Sequence, residues 1–303
     1  MTPVEPRRFC VNDDITDSLQ PRRLLLATDL SPRCDRPLDR ARQLAAEWRA
    51  DLTVLVVQQG PSTPEDVSSW LDGSGPGQAF HHAARAELAE EFAGTSVTPA
   101  LQVVEGDVTD GILGAAATLG DAVVVIGASP DVPFEQVILG STAGRLVQDL
   151  AQPLLVVRQR TRGSYARVLV ANDFSDASRR ALDTALRLFP GRGITLYHVL
   201  EDSAADAPPD AAQASLAQGE RFLDGCALAA GVRERIHIAV GHGLVTESIT
   251  RHVIEDGIRL VVLGVHPQST VARVFMGSTS EDLLQHLPCD TLLVRATEGS
   301  DDG

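Results

Sequence analysis

The chain repeats itself. Residues 127–142 read GASPDVPFEQVILGST, and 137 positions on, residues 264–279 read GVHPQSTVARVFMGST. Both have Gly, two residues, Pro, nine residues, then Gly-Ser-Thr. The match extends outward. RRLLLATDLS (22–31) aligns with ARVLVANDFS (166–175), LTVLVV (52–57) with ITLYHV (194–199), DAVVVIG (121–127) with IRLVVLG (258–264), and QPLLVV (152–157) with CDTLLV (289–294). Self-similarity on this scale commits the chain to two copies of one fold.

The matched pieces are short, continuous apolar runs rich in Val, Leu and Ile. Such runs suit strands buried on both faces of a parallel sheet. Helical stripes lie between them. Leu38, Ala41, Leu44, Ala45 and Trp48 form one, and Ala181, Leu182, Ala185, Leu186 and Phe189 form its counterpart. Ala143, Leu146, Val147 and Leu150 recur at helical spacing, as do Leu283, Leu284 and Leu287, and a third helix pair is expected near 107–119 and 244–256. Strands alternating with helices give a doubly wound α/β sheet in each half, with right-handed crossovers placing helices on both faces. The expected division is an N-terminal extension (1–21), a first domain (22–158), a basic linker (159–165), a second domain (166–297) and a disordered tail (298–303). Segments 60–78 and 201–213, rich in Gly, Pro, Ser, Asp or Ala, read as loops, either inert insertions or lids.

Composition narrows the function. The formal net charge of −15 argues against phosphate-backbone binding, so no nucleic acid is expected, and against docking on an anionic membrane. No apolar run approaches about 18 residues, so no membrane span is expected. Cys10, Cys34, Cys226 and Cys289 are far apart with no CxxC pair, which fits reduced thiols in a cytoplasmic protein. The first twenty residues contain no apolar h-region, in keeping with that location.

The chemistry concentrates at the repeated loop. In an open parallel sheet, ligands sit beyond the carboxyl ends of the strands. Gly127 and Gly264 are expected to end strands, and Ser141-Thr142 and Ser278-Thr279 to open helices. A Gly-Ser-Thr turn there offers N–H groups, hydroxyls and the positive end of a helix dipole to an anion. Ser and Thr are also ordinary helix caps and Gly an ordinary turn residue, so the turn by itself leaves both readings open.

These residues resemble the universal stress protein family, tandem type, over nearly everything from 22 to 296. The resemblance implies two tandem doubly wound parallel five-stranded sheets, Rossmann-like and similar to the adenine nucleotide alpha hydrolase fold. It also implies an intramolecular pseudo-dimer in which the last strands, LLVV (154–157) and TLLV (291–294), pair antiparallel; a homodimer of two chains is a further option. Nucleotide-binding members carry G-x-x-G-x9-G-S/T at this loop. By that match Gly127, Gly140, Ser141 and Thr142 would hold phosphate in the first half, and Gly264, Gly277, Ser278 and Thr279 in the second. Asp29 and Asp173, closing the first strands, would approach the base and ribose. The implied ligand is ATP or AMP, with Mg accompanying ATP, and the implied role is a cytosolic stress-response sensor or regulator. The chain departs from the pattern where the family's second Gly is Pro130 or Pro267. Proline has no N–H to donate, and members without that glycine pattern bind no nucleotide. The alternative is therefore a nucleotide-free module that binds proteins or small ligands.

The halves differ in charge. The first loop, DVPFEQVIL, holds two acids and no base, so an anion there depends on Arg145 reaching back. The second, QSTVARVFM, contains Arg273 and follows His266, which favours the second half as the nucleotide site. No catalytic constellation accompanies the loops. His198, His242 and His266 lack metal-ligand spacing, and Gly-His-Gly at 241–243 reads as a turn. No Walker loop or nucleophile elbow is present. The expectation is a binding protein with at most slow ATP hydrolysis.

Overall fold

A computed structural model of the chain describes residues 23–31, 34–58, 77–128, 141–201, 210–265 and 278–296, and of 77–80, 141–142 and 278–281 the backbone alone. In the first half these form β1 (Arg23–Ala27), α1 (Asp35–Trp48), β2 (Asp51–Gln58), α2 (Gly77–Glu91), β3 (Ala100–Glu105), α3 (Val108–Leu119), β4 (Val123–Gly127), α4 (Ser141–Asp149) and β5 (Leu154–Val157). The second half repeats the series: β6 (Arg167–Ala171), α5 (Asp176–Leu188), β7 (Gly193–Leu200), α6 (Ala211–Asp224), β8 (Ile236–His242), α7 (Val245–Glu255), β9 (Leu260–Val265), α8 (Ser278–His286) and β10 (Asp290–Arg295).

The ten strands form one sheet in the order β3-β2-β1-β4-β5-β10-β9-β6-β7-β8. Each half is a parallel five-stranded sheet, and the halves join through β5 and β10, which run antiparallel. Leu155 pairs with Leu292, its own repeat equivalent, so a pseudo-twofold axis passes through that pair. The expected intramolecular pseudo-dimer is therefore built from the apolar edge strands that would otherwise stand unpaired.

The apolar runs alternate between two cores, one on each face. Leu24, Leu26, Val54 and Val125 point to the face covered by α1, α2, α5 and α6. Leu25, Leu55, Val124 and Ile126 point to the face covered by α3, α4, α7 and α8. The stripe on α1 is buried throughout. On α5 only Leu186 is partly exposed, packing at the edge of the same core. Among the described residues, no helix is long and apolar enough to cross a membrane.

The stretch at 241–243 differs from expectation. Gly241 and His242 belong to β8, and the turn begins at Gly243, where φ is +94°. Gly241 is glycine for close packing, because a Cβ there would lie 2.2 Å from Tyr197 Oη and 2.3 Å from Ser248 Oγ.

The linker is held by a buried ionic cluster. Asp290 Oδ1 accepts the backbone N–H groups of Arg158 (2.8 Å) and Gln159 (2.9 Å), and its Oδ2 accepts Tyr165 Oη at 2.6 Å. Arg40 Nε lies 3.4 Å from that same Oδ2, and its guanidinium sits 4.2 Å over the Tyr165 ring. Arg40 Nη1 donates to Gly163 O, and Arg259 donates to Arg162 O and Ser164 O. Arg40 and Asp290 are fully buried and Tyr165 nearly so, and through Tyr165 a segment that reads as a polar connector is anchored in the core.

Candidate functional site

The strand order reverses direction between β1 and β4 in the first half and between β6 and β9 in the second, and such a switch point opens a crevice beyond the carboxyl ends. Leu26 pairs with Val125, so β1 and β4 run out side by side to the crevice; Val170 pairs with Val262 likewise. Asp29 follows β1 and Asp173 follows β6, both exposed. Gly127 is the last residue of β4, whereas Gly264 sits one residue before the end of β9. Ser141 and Ser278 are the first residues of α4 and α8, as the repeat implied. Thr142 and Thr279 lie in those first turns. The structure thus brings Asp and Gly to adjacent strand ends twice. Gly140, Gly277, His266, Arg273, Pro130 and Pro267 lie outside the described residues.

Both acids sit in the same local turn. Leu30 and Phe174, which follow them, adopt left-handed φ values of 56° and 66°. Asp29 Oδ1 accepts Ser31 N–H at 2.9 Å and Cys34 Sγ at 3.1 Å. Burial works to raise the Asp29 pKa, but the hydrogen bonds from Ser31 and Cys34 outweigh it and hold the carboxyl below its usual value. Burial pushes the Cys34 thiol up. Asp173 Oδ1 accepts Ser175 N–H at 3.0 Å and Ser178 Oγ at 2.6 Å. These bonds shape the turns.

The glycines differ in what they make room for. A Cβ at Gly264 would lie 2.4 Å from the backbone C and O of Ala177, so β9 and the first turn of α5 touch there. A Cβ at Gly127 would meet only Pro37 Cγ, at 3.2 Å. Gly264 therefore has a packing role of its own.

Charge at the helix starts also differs. Arg145 is engaged by the start of α3. Its Nη2 bonds Asp110 Oδ1 at 2.9 Å and its Nη1 lies 3.4 Å from Asp107 Oδ1, both at the start of α3. The repeat equivalent of Arg145 is Asp282, in the first turns of an α8 that reads STSEDLLQH. So the second half combines a basic loop with an acidic helix start, and the first half the reverse.

His198 is tied to structure. Its Nδ1 is 2.8 Å from Asn172 O, and its ring packs 4.5 Å from Phe174. Among the described residues no three His, Cys, Asp or Glu side chains gather as metal ligands. Two features escaped the sequence reading. Cys34 contacts Asp29 across a helix start, which spacing alone does not disclose. And His81, His82 and Arg85 of α2, with Gln58 and Glu105, line a cleft of about 720 Å3 beside β2 and β3. The signal for the cleft was a His-His pair one helical turn from an Arg, hidden behind the Gly/Pro-rich segment at 60–78.

Comparison with known proteins agrees with this architecture. The model of the universal stress protein family matches residues 21–158 and again 164–295. A universal stress protein of Mycobacterium tuberculosis is 26% identical over 204 residues, covering 62% of this chain and 68% of its own length. One of Synechocystis is 25% identical over 165 residues, and the chain spans 53% of the length of that relative. Among solved structures, a universal stress protein from Archaeoglobus fulgidus superposes over 91% of this chain and 99% of its own with a TM-score of 0.67 at 20% identity. A putative universal stress protein from Pseudomonas aeruginosa does so over 93% and 95% with a TM-score of 0.60 at 18% identity. The structural likenesses show the fold, and the two family matches cover most of the chain. This chain, with two tandem domains in a single sheet, belongs to the universal stress protein family.

Proposed function

We propose that this protein is a stress-response sensor or regulator of the cytoplasm that binds ATP or AMP at the switch-point crevices. The phosphates would rest on the Gly-Ser-Thr turns, Gly140-Ser141-Thr142 in one half and Gly277-Ser278-Thr279 in the other. Asp29 and Asp173 would accept hydrogen bonds from the ribose or base. The observation that carries this reading is the doubled placement of an exposed Asp and a Gly on adjacent strand ends, with a Ser opening the following helix. N–H groups and a helix dipole there favour an anion. Mg would neutralise charge on a bound triphosphate. Release and capture of nucleotide, with no chemical step, would report its cellular level.

The second reading, a nucleotide-free interaction module, is favoured by Pro130 and Pro267 and by the packing role of Gly264. One experiment separates the two. Protein purified without added nucleotide is denatured, and the released small molecules are identified by mass spectrometry, beside a Gly277→Val variant. ATP or AMP released by the native chain and lost in the variant is the expected result. A native chain that releases none and takes up no added ATP defeats the nucleotide reading and leaves the module.

A further inference from the structure

The pseudo-twofold axis at Leu155 and Leu292 relates the linker's seat to a second place on the molecule. The linker continues from β5 and lies between α1 and the start of β10, held by Arg40, Gln43, Arg259 and Asp290. Its mate lies between α5 and the start of β5, beside the chain that leaves β10. That place holds an open cleft of about 370 Å3, lined among others by Pro153, Arg180, Thr184, Arg187 and Arg295.

The residues that differ between the two seats are the charged ones. The match of Leu38, Ala41 and Leu44 with Leu182, Ala185 and Leu188 pairs Arg36 with Arg180, Arg40 with Thr184 and Gln43 with Arg187. Asp290 corresponds to Pro153. The mate cleft has thus lost the buried Arg–Asp pair that grips Tyr165. In its place it carries Arg180, Arg187 and Arg295 against Asp121 and Asp183. Arg187 spans 3.2 Å to Asp121 in an exposed pair.

We propose that this cleft is the docking site of the chain's own residues 297–303, TEGSDDG. Three observations support that occupant. The segment starts one residue beyond Ala296, and Arg295 is part of the cleft wall. The repeat offset puts Asp301 where the linker has Ser164, and Ser164 is the residue that Gln43 meets at 3.5 Å. Arg187 stands in the place of Gln43, so Asp301 would face a guanidinium. Three of the seven residues, Glu298, Asp301 and Asp302, are acidic, and the cleft carries one more cation than acid. Charge-assisted bonds from Arg to carboxylate suit such a contact. The seat is independent of the nucleotide crevices, and it stands whether or not they bind.

The test is backbone relaxation of the isotopically labelled full chain, read at residues 298–302. Docking predicts order parameters near those of the folded backbone, about 0.85, falling below about 0.6 in Arg187→Glu. The Asp301→Lys, Asp302→Lys double variant should lose order to the same degree. Combining it with Arg187→Glu should restore order by swapping the charges. Values below about 0.6 in the native chain, or order that persists through both single-sided reversals, would overturn the proposal.

Discussion

Asp290 shows how much one residue carries in this chain. It is fully buried and serves two backbone N–H groups, a phenol and a guanidinium, with donors from the first domain and the linker. Removing one member of a buried pair costs about 3–5 kcal/mol, because the other charge stays buried without compensation. Asp290→Asn keeps an oxygen for the N–H groups of Arg158 and Gln159 but strands Arg40. We expect it to lower unfolding free energy by about 3 kcal/mol. Arg40→Met removes the stranded charge and keeps the aliphatic packing. The double variant should therefore recover most of the loss. Urea unfolding with unchanged slope would measure it, and strictly additive losses would refute the account. Nothing in the sequence flags this pair. Asp290 lies in an apolar run, Arg40 on a charged-looking helix, and only the fold brings them together.

At the scale of elements, the contact of β9 with α5 is tighter than that of β4 with α1. Gly264→Ala forces a methyl group to 2.4 Å from the Ala177 backbone, so the helix must move. Overpacking against backbone costs about 1–3 kcal/mol. Gly127→Ala meets only the side chain of Pro37 at 3.2 Å, which can yield, and should cost less than about 1 kcal/mol. Comparing denaturation midpoints decides it, and equal losses would show that the two halves are alike here. This asymmetry also marks the limit of reading elements from sequence. The inner strands were legible, because burial on both faces leaves an unbroken apolar run such as VVVIG at 123–127. The outer strands β3 and β8 were not, since their residues are only partly buried and carry polar side chains such as Gln102 and His237. Helices α2 and α6 follow loop-like segments that hide their starts, and the stripe on α2 is weak, so they too were missed. In the candidate site, Asp29, Asp173, Gly127 and Gly264 were legible through repetition. Their turn bonds, and the engagement of Arg145 with Asp107 and Asp110, depend on tertiary placement.

On the scale of the whole molecule, length alone predicts that two domains melt in two steps, since each half is long enough to hold its own core. The packing argues otherwise. Both cores run unbroken across the join: one contains Trp48 and Leu155 with Phe189 and Leu292, the other Leu146 and Val156 with Leu287 and Leu293. Trp48 and Phe189, from opposite halves, have ring centroids 5.8 Å apart. Unfolding one half would expose a strand edge, half of each core and the Arg40–Asp290 pair. We therefore expect a single calorimetric transition whose van't Hoff and measured enthalpies agree, the criterion for a two-state process. Leu292→Asp places a charge at the pseudo-twofold seam opposite Leu155 and should split that transition in two. Two resolved transitions in the native chain would show that the join is weaker than its residues imply. A single transition in the native chain that splits in the variant would locate the coupling in β5 and β10, the antiparallel pair that joins the halves.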